Sequence, residues 1–200
     1  MFVKICGLTD RAAIDAAVEA GADALGFLFA ESPRQIEPAR ARELSADLPP
    51  TVRRVAVMHH PSTDVFRRVV DEFDPDWIQT DAEDFAEPAI TALLAACRAE
   101  CIPVFREGDA IDTLPERAMF EGRVSGSGET ADWDEARRLA RRCELILAGG
   151  LSPDNVASAI RQVRPWGVDV SSGVEITRGK KDPRKITDFI ARVRAVENER

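Results

Sequence analysis

The stretch Glu144–Ser171, ELILAGGLSPDNVASAIRQVRPWGVDVS, contains a strand, a loop, a helix and a second strand in succession. An apolar run at 144–148 is followed by two glycines and by Ser152-Pro153-Asp154, which puts a proline at a first helical position. Apolar residues then recur with helical period over 153–163, and 167–171 is again a short apolar run. This order predicts one βα unit followed by the strand of the next unit.

The same alternation extends over the whole chain. Eight runs have the length and composition of strands, at 2–6, 23–29, 53–58, 76–80, 101–106, 117–121, 144–148 and 167–171. Helical patterns lie between them, near 10–20, 38–46, 62–73, 84–97, 132–142, 153–163 and 183–196. The segment 107–116 is too short and proline-interrupted for a good helix, so we predict a reduced fifth helix.

Alternating strands and helices with short connections predict a parallel sheet, and hence an α/β protein. Eight units in 200 residues favour closure into a single (β/α)8 TIM barrel, with residues 1–200 as one domain. A doubly wound open sheet is the competing architecture. An internal similarity supports the barrel, because Cys6-Gly7-Leu8-Thr9 and Gly149-Gly150-Leu151-Ser152 each follow an apolar strand and open a helix.

Composition and charge exclude several classes of protein. Hydrophobic residues make up 44% of the chain, which is enough for one sizeable core. The formal charge of −8 argues against a nucleic-acid partner, because a phosphate backbone would be repelled. No apolar stretch approaches the ~18 residues of a membrane span. The amino terminus begins directly with a strand-like run, so we expect a cytoplasmic protein with no membrane partner.

Ligands of a parallel barrel bind at the carboxyl ends of the strands. Two loops of small residues follow the seventh and eighth predicted strands, Gly149-Gly150 and Ser171-Ser172-Gly173. Glycines let backbone approach a ligand, serines add hydroxyl donors, and exposed amides at a helix start favour an anion. We therefore predict a phosphate site there; the alternative is that both loops are only tight turns.

Cys6 ends the first strand and Glu121 ends the sixth, roughly across the ring. A thiol and a carboxyl group that face each other over a pocket are suited to proton transfer, one donating and the other abstracting. We expect Gly7 and the following helix start to lower the pKa of the Cys6 thiol. The alternative is an inert buried cysteine and a solvated carboxylate at the rim.

Three further residues follow strand ends. Arg34 comes after Ser32-Pro33 and could hold a substrate carboxylate by a two-point fork, or form a surface ion pair. The only two histidines, His59 and His60, end the third strand. With no third ligand at a suitable spacing, a solvated loop is favoured over a metal site, and we predict no bound metal.

These motifs resemble the phosphoribosylanthranilate isomerase family. The segments that carry the resemblance are Lys4-Ile5-Cys6-Gly7-Leu8-Thr9, Gly21-Ala22-Asp23-Ala24-Leu25-Gly26-Phe27, Ser32-Pro33-Arg34, Leu147-Ala148-Gly149-Gly150-Leu151, and Gly167-Val168-Asp169-Val170-Ser171-Ser172-Gly173-Val174-Glu175. The resemblance implies the cofactor-free Amadori rearrangement of N-(5′-phosphoribosyl)anthranilate in tryptophan biosynthesis. It also implies a (β/α)8 barrel.

The resemblance further implies a role for each site residue. Glu121 would protonate the furanose ring oxygen as the ring opens, and Cys6 would then take the C2′ proton. Arg34 would hold the anthranilate carboxylate and Asp169 would contact the sugar. The glycine and serine loops would bind the phosphate of this phosphorylated substrate.

Three positions depart from the family pattern. Relatives carry Asp where this chain has Glu121, and their Gln-Leu-His-Gly is Gln79-Thr80-Asp81-Ala82 here. The strand-three segment Ala56-Val57-Met58-His59-His60 also differs from the usual small-residue and Phe pattern. A carboxylate beside an anionic substrate is unfavourable unless an arginine such as Arg106 pairs with it. These departures leave open a drifted or non-catalytic paralogue that binds a related phosphorylated ligand in the same barrel mouth.

A third hypothesis is the related bifunctional isomerase of histidine and tryptophan synthesis. That group has a carboxylate at the end of strand one, where this chain has Cys6, so the hypothesis is disfavoured. For the assembly we expect a monomer or a homodimer.

Overall fold

A computed structural model of the chain describes residues 1–111, 113–123 and 130–198. Eight parallel strands close into a barrel in chain order. They are β1 Phe2–Cys6, β2 Ala24–Leu28, β3 Arg53–Val57, β4 Trp77–Asp81, β5 Glu100–Arg106, β6 Arg117–Glu121, β7 Glu144–Leu147 and β8 Gly167–Val170. The predicted (β/α)8 barrel is confirmed, and the open-sheet alternative is wrong because β8 pairs with β1.

Helices surround this barrel on the outside. They are α1 Arg11–Ala20, α2 Pro38–Leu44, α3 Thr63–Phe73, α4 Pro88–Ala96, α5 Trp133–Leu139, α6 Val156–Val163 and α7 Pro183–Glu197. A small antiparallel pair, β9 Glu175–Thr177 and β10 Lys180–Lys181, follows β8. Between β5 and β6 the described residues contain no helix, which agrees with the predicted reduction of the fifth unit.

Local capping explains most helix ends. The Ser62 hydroxyl accepts a hydrogen bond from the Val65 amide at the start of α3, as its position before an apolar-periodic run predicts. The α6 start is different, because Pro153 is not at the first helical position and the helix begins at Val156. The Asn155 side chain instead accepts from the Ser152 amide and donates to the Gly150 carbonyl, at 2.8 Å each, so it fixes the preceding loop.

Aromatic side chains fill the amino-terminal end of the barrel. Phe2 stacks between Trp77 and Trp166, with ring centroids 5.0 and 4.7 Å away. The Arg117 guanidinium covers both tryptophan rings, at 5.0 and 4.4 Å from their centroids. Because this end is filled by side chains, a ligand reaches the barrel from the carboxyl ends of the strands.

Outside the barrel, the helices bury apolar side chains against the strands. Phe27 of β2 and Phe73 of α3 meet edge to face at 5.2 Å, and both are fully buried. The last helix, α7, packs beside α1 and closes the ring of helices. Within the part of the chain that the structure describes, no helix has both the length and the apolarity that crossing a membrane requires.

Candidate active site

The strand ends at the open mouth carry the polar residues. Side chains alternate between the inside and the outside of a barrel along each strand. Cys6 belongs to the apolar cluster inside the barrel, and so does Met119, two residues before Glu121. Alternation therefore places Glu121 on the inner face too, and Cys6 and Glu121 project into the same mouth from β1 and β6. Both are nearly buried.

A buried ion pair lies one layer beneath Cys6. Lys4 Nζ donates to the Asp169 carboxylate at 2.7 Å, and the two residues are register partners on β1 and β8. Burial alone would lower the pKa of Lys4, but Asp169 and Cys6 outweigh burial and raise it. Asp169 is the residue expected to contact the sugar, and in the structure one of its oxygens binds Lys4.

The Cys6 thiol has a raised pKa, not a lowered one. Burial is the largest cause, and the charge of Asp169 adds to it, while Lys4 and Lys181 oppose the change. The expectation that a helix start would lower this pKa is wrong, because loss of solvation outweighs the nearby positive charges. Gly26 supports the packing here, since a Cβ at that position would lie 3.0 Å from Cys6 Sγ and 3.1 Å from Lys4 Nζ.

Glu121 is held by an arginine shared with Asp81. Arg106 Nη2 lies 3.1 Å from Glu121 Oε1, and Arg106 Nη1 contacts Asp81 Oδ1. Arg106 therefore meets the condition stated above for a carboxylate at this position. The Arg106 guanidinium offsets the negative charge of Asp81, the residue that differs from the family pattern after strand four. It also fixes the position of Glu121.

Arg34 is buried in a second charge network. Its Nε and Nη2 donate to the two Glu175 oxygens at 2.7 and 3.1 Å, and Lys181 Nζ donates to Glu175 Oε1 at 2.8 Å. Glu175 therefore occupies the Nε edge of the Arg34 guanidinium. A substrate carboxylate could be bound only by the opposite edge of the guanidinium. The surface ion pair considered as its alternative is wrong, since Arg34 is 5% exposed and its ion pair with Glu175 is buried.

The two small-residue loops after β7 and β8 pack directly on each other. Gly149 and Gly150 both have left-handed backbone, with φ of 82° and 60°, a conformation that favours glycine at both positions. At Gly173 a Cβ would lie 1.9 Å from the Leu151 carbonyl oxygen, so only glycine fits the contact. Lys181 Nζ donates to the Ser171 carbonyl and hydroxyl oxygens at 2.9 and 3.1 Å, which brings a cation to the serine loop.

Gly7 connects these loops with the strand that carries Cys6. Its φ is +74°, and a Cβ there would lie 2.7 Å from Arg34 Cδ and 3.2 Å from Ser171 Oγ. The loops after β1, β2 and β8 therefore meet around this glycine. The serine-glycine segment of the sequence at residues 125–128 lies outside the described residues.

A third polar cluster lies at the ends of β3 and β4. Asp81 Oδ2 contacts His59 Nδ1 and lies 3.6 Å from His60 Nε2. The spacing of the sequence showed no third partner for the two histidines, and the barrel brings Asp81 to them. Gln79 lies two residues before Asp81 on β4 and therefore on the same face of the strand. It is buried, and its Oε1 has no hydrogen-bond partner among the described residues.

Sequence reasoning missed the roles of Lys4, Glu175 and Lys181. Lys4 could have been recognised from the sequence, because it lies two residues before Cys6 in an apolar strand and so points to the inside of the barrel as Cys6 does. A buried lysine there needs a partner inside the barrel. Glu175 carries no such local pattern, since its partner Arg34 lies 141 positions before it, and Lys181 enters the network through Glu175.

The Glu175 network predicts a stability effect that depends on pH. Burial would raise the pKa of Glu175, but hydrogen bonds from Arg34 and Lys181 outweigh it and lower the pKa from 4.5 to about 2. We expect Glu175→Gln to lower the free energy of unfolding by about 3 kcal/mol at pH 7, measured by urea denaturation. Two buried cations would then lack their carboxylate.

The sign of the pH dependence follows from the lowered pKa. The contribution of Glu175 is complete above about pH 4.5 and is lost as the pH falls towards 2, so the difference between wild type and variant should shrink over that window. Glu72→Gln is the control, because this exposed partner of Arg68 contributes under about 1 kcal/mol. A Glu175→Gln protein as stable as wild type at pH 7 would contradict the assignment.

Comparison with known proteins gives a consistent result over the whole chain. The family model described as N-(5′-phosphoribosyl)anthranilate (PRA) isomerase matches residues 3–192. The N-(5′-phosphoribosyl)anthranilate isomerase of Geotalea daltonii is 41% identical over 203 aligned positions, which cover 96% of each chain.

Solved structures agree with this sequence similarity. The phosphoribosyl anthranilate isomerase of Thermotoga maritima superposes with a TM-score of 0.84 at 35% identity, covering 98% of this chain and 99% of its own. A phosphoribosyl anthranilate isomerase in complex with reduced 1-(o-carboxyphenylamino)-1-deoxyribulose 5-phosphate gives a TM-score of 0.83 at 34% identity, with the same coverage.

Proposed function

The chain belongs to the N-(5′-phosphoribosyl)anthranilate isomerase family, and we propose that it catalyses the Amadori rearrangement of N-(5′-phosphoribosyl)anthranilate in tryptophan biosynthesis. The product is 1-(2-carboxyphenylamino)-1-deoxyribulose 5-phosphate. One observation carries this function beyond the family likeness. Cys6 and Glu121 end β1 and β6 on the inner face of one barrel mouth, and the glycine and serine loops of β7 and β8 lie at the same end.

In this proposal Glu121 is the acid and Cys6 is the base. Glu121 gives its proton to the furanose ring oxygen, the C1′–O bond breaks, and the open chain is a Schiff base between C1′ and the anthranilate nitrogen. The Cys6 thiolate then takes the C2′ proton, which leaves an enolamine. The enolamine tautomerises to the ketone by gaining a proton at C1′ and losing one from the C2′ hydroxyl, so no proton is gained or lost overall.

The charged neighbours position Glu121 and favour the thiolate of Cys6. Arg106 holds one carboxyl oxygen of Glu121 at 3.1 Å and so limits the positions that this side chain can take. Lys4 and Lys181 favour the thiolate of Cys6, although burial keeps its pKa raised. Both cations are more than nine-tenths buried, so they act on Cys6 with little solvent screening.

The substrate anions have separate binding groups. We assign the phosphate to Gly149, Gly150, Ser171, Ser172 and Gly173, beside the Lys181 ammonium. We assign the anthranilate carboxylate to the edge of Arg34 that does not face Glu175. Asp169 keeps its assignment to the sugar, with Lys4 fixing its orientation at 2.7 Å. The cytoplasmic location and the choice between monomer and homodimer stay predictions.

Turnover of the purified protein tests the function. The chain should convert N-(5′-phosphoribosyl)anthranilate, followed by the loss of substrate fluorescence, and should restore growth without tryptophan to a strain that lacks this isomerase. A protein that binds the reduced product analogue but neither turns over substrate nor restores growth would be the non-catalytic paralogue. That result would reject the proposal while leaving the fold and the phosphate site intact.

A further inference from the structure

A group of metal-ligand side chains lies on the rim of the barrel, outside the residues assigned to the isomerase reaction. His59 and His60 follow β3, and Asp81 ends β4. One ligand atom from each of these three residues can be chosen so that all three lie within 4.8 Å of one another. Neither histidine has a role in the mechanism above.

The distances around His60 fit a tetrahedral ion. Ligands bound to zinc at about 2.0–2.2 Å lie roughly 3.3–3.6 Å apart. His60 Nε2 lies 3.6 Å from Asp81 Oδ2 and 3.3 Å from Glu83 Oε1, and His59 Nδ1 contacts the same Asp81 oxygen. The ligand atoms of His59, His60 and Asp81 therefore lie close enough together for one ion, and Glu83 Oε1 lies beside His60.

The His60 ring is oriented as in a metal site. Its Nδ1 is 2.8 Å from Asp84 Oδ1, and Asp84 in turn accepts a hydrogen bond from the Thr80 hydroxyl at 2.5 Å. A carboxylate on Nδ1 fixes the tautomer that leaves Nε2 as the ligand atom. The His60 backbone has a φ of 42°, which is costly for a residue other than glycine.

The charge of the cluster also favours a dication. Asp81, Glu83 and Asp84 bring three carboxylates within ion-pair distance of the histidines, and Arg106 is the cation that contacts Asp81. Two negative charges remain when the imidazoles are neutral. Arg106 uses Oδ1 of Asp81, so Oδ2 is directed to the histidines.

We propose that His59, His60, Asp81 and Glu83 bind one divalent first-row transition-metal ion, with Asp84 as the residue that orients His60. Imidazole with carboxylate is a ligand set for Zn²⁺, Co²⁺ or Ni²⁺, whereas Mg²⁺ and Ca²⁺ require oxygen ligands. The ion joins the loop after β3 to the turn after β4. Its position beside a cavity of 840 Å³ lined by both histidines keeps it accessible from solvent.

Metal binding is measured on the full chain after dialysis against a chelator. Titration calorimetry with Zn²⁺ should give one ion per chain with a Kd in the micromolar range or below, and Co²⁺ should give the visible absorption of a four-coordinate site. Saturating Zn²⁺ should raise the Tm by several degrees. Mg²⁺ at the same concentration should neither bind nor compete.

Variants locate the site. His59→Ala and His60→Ala should each weaken Zn²⁺ binding more than tenfold, and Asp84→Asn should weaken it less. Glu87→Gln is the matched control, because this exposed carboxylate lines the neighbouring cavity with Glu83 but does not contact the histidines. Both histidine side chains are about half exposed, so the metal-free variants should unfold at the wild-type temperature.

Two results would overturn the site. Wild-type protein that binds no Zn²⁺ stoichiometrically would reject it outright. Binding that survives unchanged in both histidine variants would show that the ion binds elsewhere, for example at a cysteine. Neither result bears on the isomerase reaction, which is measured separately by substrate turnover.

Discussion

Cys6→Ser is expected to lower kcat for N-(5′-phosphoribosyl)anthranilate by about 10³-fold, within the range for losing a general base. A serine hydroxyl is isosteric enough to keep the packing against Gly26, but it does not ionise in the range where a thiol does. The measurement is the initial rate of substrate fluorescence loss at saturating substrate. KM should change little, because Cys6 is assigned to proton transfer and not to binding.

The control for this variant is Cys143→Ser. Cys143 lies between α5 and β7, away from the barrel mouth, and its sulfur contacts the Leu139 carbonyl. Its replacement should leave kcat within about twofold, because it makes no contact in the proposed reaction. Equal activity of the two variants would remove Cys6 from the mechanism.

The pH profile provides a second readout of the same residue. Because burial raises the pKa of Cys6 above its ordinary 9.0, only a small fraction is thiolate at neutral pH. In the Glu121→Gln background, where no carboxylic acid has to stay protonated, the residual kcat/KM should therefore rise with pH through neutrality and continue rising past pH 9. This rise reports ionisation of the thiol, so it should be absent when Cys6→Ser is added to Glu121→Gln. A Glu121→Gln profile that is flat above pH 7 would be inconsistent with a thiolate base.

Glu121→Gln is the second large effect, with an expected loss of 10²- to 10³-fold in kcat. The amide keeps the size of the side chain and can still accept from Arg106, so the fold and the Arg106 position are retained. It has no acidic proton for the furanose ring oxygen, so the ring-opening step loses its donor. Turnover by the fluorescence assay measures the loss.

Glu121→Asp tests the need for a carboxyl group separately from the length of the side chain that carries it. An aspartate keeps the carboxyl group and shortens the side chain by one methylene, so it should retain far more activity than the glutamine variant. An activity above wild type would show that the longer side chain limits the native rate. Wild-type kcat in Glu121→Gln would instead show that another group donates the proton.

Local sequence pattern was sufficient for the barrel and for the positions of its ligand loops. Apolar runs alternating with helical patterns identify strands and helices within windows of about ten residues, and the carboxyl-end rule then selects Cys6, Glu121 and the loops after β7 and β8. Errors occurred at element ends, as at Pro153, where the Asn155 side chain competes with the helix for the loop backbone.

Partners of the charged residues could not be predicted in this way. Lys4 and Asp169 are 165 positions apart, and Arg34 and Glu175 are 141 apart, so no local spacing pairs them. The prediction that the pKa of Cys6 is lowered was wrong for the same reason. This pKa depends on burial and on Lys4, Lys181 and Asp169, which act together only after the barrel has closed.

The sequence by itself determined the (β/α)8 fold, the reduced fifth unit and the strand ends that carry Cys6 and Glu121. These follow from periodicity and turn residues, which act over short distances along the chain. Only the tertiary structure decided that Arg106 bridges Asp81 and Glu121, that Glu175 occupies one edge of Arg34, and that Asp81 meets the two histidines. Electrostatic contacts depend on distance in space, and barrel closure sets those distances.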